Sequence, residues 1–404
     1  MNKKFIVMAA FAAVFGMSFT ACSNNDDDLA GAGTAQLDSK NPVTLSSYLN
    51  NGPATRGYAA AATDIQTDGM AVWAFDATTE TAINNLTGTY FMGGYSAGLA
   101  HTWDGTNEWY KAAADYFWPE YNLNFVALTP QTGGGIGAIT VSQAAAAGDP
   151  AVPSKPVMTV AVDVPLTTES DGVYGSDTQK DIMIASIEDQ APLATGSAAL
   201  TFKHALSQIV FKGGVDGQST IHKAVVKSIK LVNVASDGTI TYTAATDAFA
   251  SGSLGTQNKT YAANIVNTVV TASIGNADAD DDDDPNDITG QDDNAAGRDY
   301  QLMIMPQASV ACTGVGAQGV NVSQKDAPTA GTYLLVNADL YANNDNVNKV
   351  LANTTNVYIP LEETTWAPGY KYTYILKFGD NLLHPITFTA SVAEWTDATK
   401  NVEF

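Results

Sequence analysis

Short β-like runs separated by turn residues limit most strongly what this chain can fold into. Apolar, β-branched and aromatic residues recur in short runs bounded by Gly, Asn, Asp and Pro, which is typical of strands and turns. The predicted strands are residues 43–49, 70–75, 124–128, 157–162, 181–185, 199–211, 225–234, 239–242, 300–305, 333–336, 357–361 and 370–378. Long amphipathic helical patterns are lacking in the sequence, so we predict an all-β protein built from sandwiches.

Two strand-rich halves are separated by residues 190–197, which include Pro192 and Gly196. We therefore predict two domains, residues 57–196 and residues 197–404. Within the second domain, Asp237-Gly238 is a turn sequence, and it predicts a hairpin between the strands 225–234 and 239–242.

The N-terminus is typical of an export signal. Two lysines precede an apolar run that ends just before Cys22 and a polar stretch, the order found in signal peptides. The run is shorter than the roughly 20 residues of a membrane-spanning helix. Because small residues give way to polar ones at Cys22, residues 1–21 resemble a bacterial lipoprotein signal with Cys22 as the lipid-bearing residue, although Phe19 stands where Leu is usual. An ordinary signal peptide with an incidental Cys is the alternative.

Residues 22–56 are interpreted as a pro-segment between the signal and the body. The three Asp residues 26–28 resemble the tag that sends lipoproteins to the outer face of the outer membrane, and a solvated acidic spacer is the alternative. A small, polar linker precedes the strand candidate 43–49. Arg56 then precedes Gly57 in a Gly- and Pro-containing loop. Such loops are where proteases cut, and a lone surface arginine is the alternative.

The charge and cysteine content exclude some classes of function. The net charge is −23, from 19 basic and 42 acidic residues. A surface this acidic repels phosphate backbones, so we expect no nucleic-acid partner. The two cysteines cannot form a disulfide if Cys22 carries lipid, and Cys312 is then interpreted as a small buried apolar residue.

Two glycine-containing strings match catalytic or cofactor motifs. Residues 94–98 read G-Y-S-A-G, which matches the nucleophile elbow of hydrolases around Ser96, but only a few residues follow before Gly105 and leave no room for the helix that this motif needs. Residues 133–138 fit a relaxed dinucleotide fingerprint, but the β-like run after them favours a loop. We therefore predict neither an enzyme nor a bound cofactor.

Metal binding is not predicted either. The four histidines are His101, His204, His222 and His384, and their spacing does not match a ligand set. His204 lies in a strand motif, where hydrogen bonding to a neighbour is expected. The acidic run 278–284 fails as an EF-hand, because Asp283 and Thr289 occupy its glycine and glutamate positions. A solvated loop is the preferred interpretation of that run, and weak surface calcium binding is the alternative.

Several motifs, taken in order, resemble the fimbrillin superfamily, the Bacteroidetes pilins of type V fimbriae. The motifs are D-I-M-I-A at 181–185, L-T-F-K-H-A-L-S at 200–207, F-W-P at 117–119 followed by N-F-V-A at 124–127, W-A-P-G-Y-K-Y-T-Y at 366–374 and V-A-E-W at 392–395. With the lipoprotein-like start and Arg56, the resemblance covers nearly the whole chain.

The resemblance implies a fold and a mode of assembly. It implies two tandem transthyretin-like β-sandwich domains, export as a lipoprotein to the surface of the outer membrane, and a cut by an arginine-specific protease after Arg56. The cut removes an N-terminal strand, and the C-terminal segment of another subunit fills the groove that is left. A strand edge exposed in this way pairs readily with another chain.

Two segments are the candidates for the exchanged strands. Val43 and Leu45 would leave with the removed strand. On the donor side, Ile386, Phe388, Ala390 and Val392 share one apolar face of residues 386–392. An ordinary last strand of the C-terminal domain is equally compatible with that pattern, and the tail 401–404 is a further donor candidate. Because a head-to-tail contact does not close on itself, it builds a filament.

The resemblance favours a stalk subunit of a homopolymer that supports adhesion. The alternative is a tip or anchor fimbrillin, or a surface lipoprotein that binds a glycan or a host protein through aromatic side chains such as Trp103, Trp109 and Tyr110.

Overall fold

The computed structural model describes residues 41–49, 62–78, 90–144, 155–165, 179–216, 221–263, 265, 269–271, 273–274, 286–291, 299–300, 302–316, 319–321, 324–342, 355–379 and 387–394. These residues belong to a single compact unit, residues 37–404. Apart from one short α-helix and one 3-10 turn, the elements in the described ranges are strands, which confirms the all-β prediction. Within the same ranges no helix combines the length and apolar character needed to cross a membrane.

The elements have the following bounds in chain order. They are β1 (Leu45–Leu49), α1 (Ala62–Asp68), β2 (Met70–Asp76), β3 (Leu99–Asp104), β4 (Trp109–Ala112), β5 (Leu123–Thr129), β6 (Ile136–Ala144), β7 (Lys155–Asp163), β8 (Met183–Gln190), β9 (Ala198–His204), β10 (Ser207–Asp216), β11 (Lys223–Val234), β12 (Asp237–Thr243), the 3-10 turn (Ala244–Thr246), β13 (Ala248–Leu254), β14 (Lys259–Ala262), β15 (Val269–Val270), β16 (Ser273–Ile274), β17 (Asn286–Asp287), β18 (Gly290–Gln291), β19 (Asp299–Tyr300), β20 (Leu302–Ile304), β21 (Gln307–Ala308), β22 (Tyr333–Tyr341), β23 (Thr355–Pro360), β24 (Thr365–Trp366), β25 (Tyr370–Phe378) and β26 (Thr387–Glu394).

The first sheet closes on itself. Its strand order is β1-β4-β3-β2-β5-β8-β9, and β1 returns to pair with β9. The neighbours within this sheet are antiparallel except for the pair β1 and β9, which run in the same direction. The N-terminal strand therefore completes the sheet.

Strands β2 and β5 separate two hydrophobic cores. The inner core lies inside the closed sheet and includes Val72 and Phe125, whereas the outer core lies on the opposite face of the same strands and includes Trp73 and Val126. Successive side chains of a strand point to opposite faces. Burial on both faces explains why these two segments read as continuous apolar runs rather than as alternating ones.

The remaining sheets cover the outer core. They are a four-stranded sheet in the order β13-β12-β7-β6, a five-stranded sheet in the order β14-β11-β22-β23 with β15 beside β11, and a six-stranded sheet in the order β16-β10-β25-β26 with β17 and β20 beside β10. Two short pairs, β18 with β19 and β21 with β24, complete the described topology. The hairpin β12–β13 pairs with β7, so strands from both sides of the predicted boundary share a sheet, and the division into two domains at residue 197 stays a prediction.

The predicted hairpin at Asp237-Gly238 is wrong. Strand β11 pairs with β14, β15 and β22, whereas β12 pairs with β7 and β13. The two strands lie in different sheets because the link between them crosses over: the Ser236 carbonyl accepts a hydrogen bond from the Val164 backbone, and the Ser236 hydroxyl bonds Asp163 at 2.9 Å. These contacts attach the link to the end of β7.

Candidate functional site

Residues 41–49 are named here the plug segment. They contain β1, which lies between β4 and β9 in the closed sheet. Strand β1 runs parallel to β9, with Cα partners from Leu45 and Ala198 to Leu49 and Phe202. On its other side β1 is antiparallel to β4, where Leu45 faces Tyr110. The gap that β1 fills between β4 and β9 is named here the β1 slot.

The start of the plug segment is hydrogen-bonded on both sides. The Val43 backbone N–H donates to the Tyr116 carbonyl at 2.6 Å, and the Ala198 N–H donates to the Thr44 carbonyl at 2.9 Å. The Thr44 hydroxyl also donates to the Gly196 carbonyl at 3.0 Å. If the plug segment left, these groups would lose their partners. The loss is costly for the buried Ala198 N–H, whereas the exposed Gly196 carbonyl can bond water instead.

The alternating side chains of the plug segment enter the inner core. Val43 is 4% exposed and Leu45 is fully buried. Ser47 follows on the same face, and its hydroxyl donates to the Tyr110 hydroxyl oxygen at 3.1 Å. The Tyr110 ring is fully buried with its centroid 4.9 Å from that of Trp103. Burial raises the pKa of Tyr110, and the hydrogen bond from Ser47 partly offsets that rise.

The aromatic residues of the alternative binding function lie mainly inside the protein. Tyr110 is buried, Trp103 packs against the inner core, and Trp109 is half-buried. Stacking on a glycan requires an exposed ring face, so these three residues do not form an exposed aromatic platform.

The donor candidate lies at the edge of the six-stranded sheet. Phe388, Ala390 and Val392 belong to β26, which pairs antiparallel with β25. No strand of the described ranges pairs with the other edge of β26. Ile386 and the tail 401–404 lie outside the described residues. The candidate is therefore the last strand of its own sheet in the isolated chain, and its use as a donor stays a prediction.

The processing residues also lie outside the described part of the chain. This applies to Cys22, Arg56 and Gly57, and to the acidic run 278–284. In the sequence, however, Arg56 falls between the end of β1 at Leu49 and the start of α1 at Ala62. A cut after Arg56 would therefore leave β1 attached to the rest of the molecule only by non-covalent contacts.

The G-Y-S-A-G string around Ser96 packs against a tryptophan. The Trp73 indole N–H donates to the Gly94 carbonyl at 2.7 Å. A Cβ on Gly98 would lie 2.8 Å from carbon atoms of the Trp73 ring, which is too close for any side chain. The next element is strand β3 rather than the helix of a nucleophile elbow. The glycine spacing thus has a packing explanation.

Gly133, Gly134 and Gly135 precede strand β6, which begins at Ile136, so the predicted loop is shorter than residues 133–138 and a strand rather than a helix follows it. Gly135 has a φ of +82°, and a Cβ there would lie 1.9 Å from the Asp163 carbonyl oxygen. These glycines therefore allow the backbone of this loop to lie against the end of β7.

Two buried histidines have structural roles. His204 bonds Asp181 through Nδ1 at 2.5 Å, which confirms the expected bond to a neighbour. His101 is fully buried in β3, where Nδ1 bonds the Leu99 carbonyl at 3.0 Å. In the described ranges, no three His, Cys, Asp or Glu side chains gather in a metal-binding arrangement.

The stability of the protein is expected to fall in acid because of His101. Burial lowers the pKa of His101 below its ordinary value of 6.5, and the bond to the Leu99 carbonyl only partly opposes this. As the pH falls, His101 takes up its proton in the unfolded chain before it does so in the folded protein. The free energy of unfolding therefore decreases below about pH 6.5, by at most about 1.4 kcal/mol per pH unit, and His101 does not lower it above that pH.

His101→Gln removes this titration and is expected to flatten the pH dependence of the free energy of unfolding between pH 7 and 5. His222→Gln, at an exposed histidine, is the matched control and should keep the slope of the parent protein. Urea titrations across this pH range measure the effect. Equal slopes in the parent and His101→Gln proteins would contradict it.

Comparisons with known proteins identify the family to which this chain belongs. A family model described as fimbrillin-like matches residues 55–395. The chain belongs to the fimbrillin-like family. This membership confirms the resemblance and points to a structural protein rather than an enzyme. The fimbrillin-like protein is similar in fold to a fimbrial protein from Bacteroides vulgatus, at 16% identity and a TM-score of 0.53, with 88% of this chain and 99% of that chain covered.

The chain is also similar to a second solved structure. This candidate cell adhesion protein from Bacteroides uniformis has 15% identity and a TM-score of 0.41, with 89% of this chain and 100% of that chain covered. The comparison with curated proteins gives no match.

Proposed function

We propose that the protein is the stalk subunit of a type V fimbrium and that it polymerises when its plug segment is replaced by a strand of another copy. The observation that carries this proposal is the position of β1, which completes a closed sheet from a stretch of chain that ends before Arg56. The family match, which begins at residue 55 and so leaves β1 outside it, also supports the proposal.

The proposed assembly begins with export of a lipoprotein anchored through Cys22 to the outer membrane. An arginine-specific protease cuts after Arg56, and the plug segment leaves the β1 slot. The vacated slot then presents unpaired backbone groups of β4 and β9 and the pockets of Val43 and Leu45, which a strand of matching pattern can fill. The segment 386–392 of another subunit is the proposed donor.

Mass spectrometry of protein sheared from the cell surface tests this processing. We expect a mature N-terminus at Gly57 and short or absent fimbriae in an Arg56→Gln strain. Arg298→Gln is the matched control, since it removes an arginine that lies far from β1 in the sequence, and it should leave the fimbriae unchanged. A lipidated Cys22 retained in all surface molecules would contradict the stalk role and indicate an anchor or a surface lipoprotein.

A further inference from the structure

The hydrogen bond between Ser47 and Tyr110 is a polar contact on the face of the plug segment that carries Val43 and Leu45 into the inner core. Tyr110 faces Leu45 across the β1–β4 pair, and its hydroxyl reaches diagonally to Ser47, two residues further along β1, at 3.1 Å. Diagonal neighbours on antiparallel strands are within reach of an aromatic side chain. Tyr110 is fully buried, so the position of its hydroxyl is fixed by the packing around the ring.

The side chains of the plug segment that face the inner core therefore follow a pattern. They read apolar, apolar and hydrogen-bonding at Val43, Leu45 and Ser47. An aliphatic side chain in the place of Ser47 would leave the buried Tyr110 hydroxyl against hydrocarbon, which is unfavourable. A charged side chain in the place of Leu45 would be buried without a partner, which is more unfavourable still.

The C-terminal strand follows the same pattern in one register. With a period of two, the apolar face of the donor candidate reads Ile386, Phe388, Ala390, Val392 and then Glu394. Aligning Ala390 with Val43 and Val392 with Leu45 puts Glu394 in the place of Ser47, the diagonal neighbour of Tyr110.

The two neighbouring registers, in which the donor strand is shifted by two residues, each violate the pattern of two apolar side chains followed by a hydrogen-bonding one. A shift of two residues in one direction puts Val392 opposite the Tyr110 hydroxyl. The opposite shift puts the carboxylate of Glu394 at the fully buried position of Leu45. The position of Ser47 is only half-buried, so a carboxylate there stays partly solvated while it accepts a hydrogen bond.

We propose that Tyr110 sets the register of the strand that replaces β1, by donating its hydroxyl hydrogen bond to Glu394 of a second copy of this chain. This inference rests on the strand exchange proposed above. It assigns the occupant of the slot as residues 390–394, the end of β26, which overlaps the donor candidate 386–392 and extends two residues beyond it.

Disulfide trapping tests the register. Ser46 and the exposed Ala199 are Cα partners in the β1–β9 pair, and the proposed alignment puts Ala393 in the place of Ser46. In the full chain with Cys312→Ser, cut after Arg56 and allowed to assemble, Ala199→Cys combined with Ala393→Cys should give a ladder of disulfide-linked subunits. Ala199→Cys combined with Ser391→Cys, shifted by two residues, is the matched control and should not.

A second measurement tests the side-chain contact. Glu394→Leu is expected to lower the extent of filament growth about tenfold, and Glu394→Gln, which can still accept a hydrogen bond, to restore most of it. Glu363→Leu, at an exposed glutamate, is the control. In a Tyr110→Phe chain, Glu394→Leu should have no further effect, because the partner hydroxyl is already missing.

The outcomes separate this inference from the function on which it rests. If no variant forms filaments, the strand exchange is wrong and the register is wrong with it. If filaments form but the ladder comes from the Ser391→Cys pair, or if Glu394→Leu has no effect, the exchange stands and the role of Tyr110 is contradicted.

Discussion

Leu45→Asp is expected to release β1 from the closed sheet without any cut in the chain. Leu45 is fully buried in the inner core, and an unpaired carboxylate there costs about 3 kcal/mol or more. Because β1 is the N-terminal strand of the sheet, the molecule can avoid this cost by letting the plug segment leave the slot while the other strands stay paired. The expected result is local opening rather than global unfolding.

Hydrogen exchange followed by mass spectrometry measures this opening. The amides of residues 198–202 in β9, which pair with β1, should exchange about 100-fold faster in Leu45→Asp, and the amides of β25 should be unchanged. Ser46→Asp introduces the same charge on the opposite, half-buried face of β1, and should have a much smaller effect. Unchanged protection of β9 in Leu45→Asp would contradict the assignment of β1 as a separable strand.

Trp73→Ala is expected to lower the free energy of global unfolding by about 3–5 kcal/mol. Trp73 is fully buried in the outer core, its indole N–H bonds the Gly94 carbonyl, and its ring packs against Gly98. The substitution leaves a large cavity and removes the partner of that carbonyl. Unlike β1, strand β2 contributes side chains to both cores and is not at the end of the chain, so the whole loss should appear in global stability.

Urea unfolding measures the effect of Trp73→Ala. Tyr121→Ala removes another aromatic ring, one whose side chain is 38% exposed, and should cost about 1 kcal/mol or less. The account of the G-Y-S-A-G string as a packing site for Trp73 also predicts that Ser96→Ala leaves stability and assembly nearly unchanged. A loss below about 1 kcal/mol in Trp73→Ala would contradict the role of this side chain in the outer core.

Local patterns in the sequence predict the strands well where burial leaves a clear signal. The continuous apolar runs at 70–75 and 124–128 become β2 and β5, buried on both faces. The run 199–211 is β-structure as predicted, but it is two strands, β9 and β10, that belong to different sheets. Nothing in its composition marks the change of sheet, since the residues at the break, Ala205 and Leu206, are themselves apolar and buried.

Local sequence patterns do not predict which strands pair when the strands are far apart in the chain. The plug segment was predicted as a strand, but its pairing with β9 joins residues more than 150 positions apart, and a period of two does not name a partner. The same limit explains the wrong hairpin at Asp237-Gly238, where the turn residues connect strands of two sheets. Helix α1 was missed because seven residues are too few for a clear helical pattern. The Ser47–Tyr110 contact also joins residues that are distant in the sequence, so local patterns do not predict it.

Filament growth from the cut chain tests the central claim most directly. The full chain is cut after Arg56 with an arginine-specific protease, and assembly is followed by light scattering and electron microscopy, beside the same chain without its last twenty residues. We predict that the cut full chain loses the plug segment and grows filaments, while the shortened chain loses the segment but stays monomeric. A cut full chain that remains a stable monomer, and behaves like the shortened one, would contradict the account.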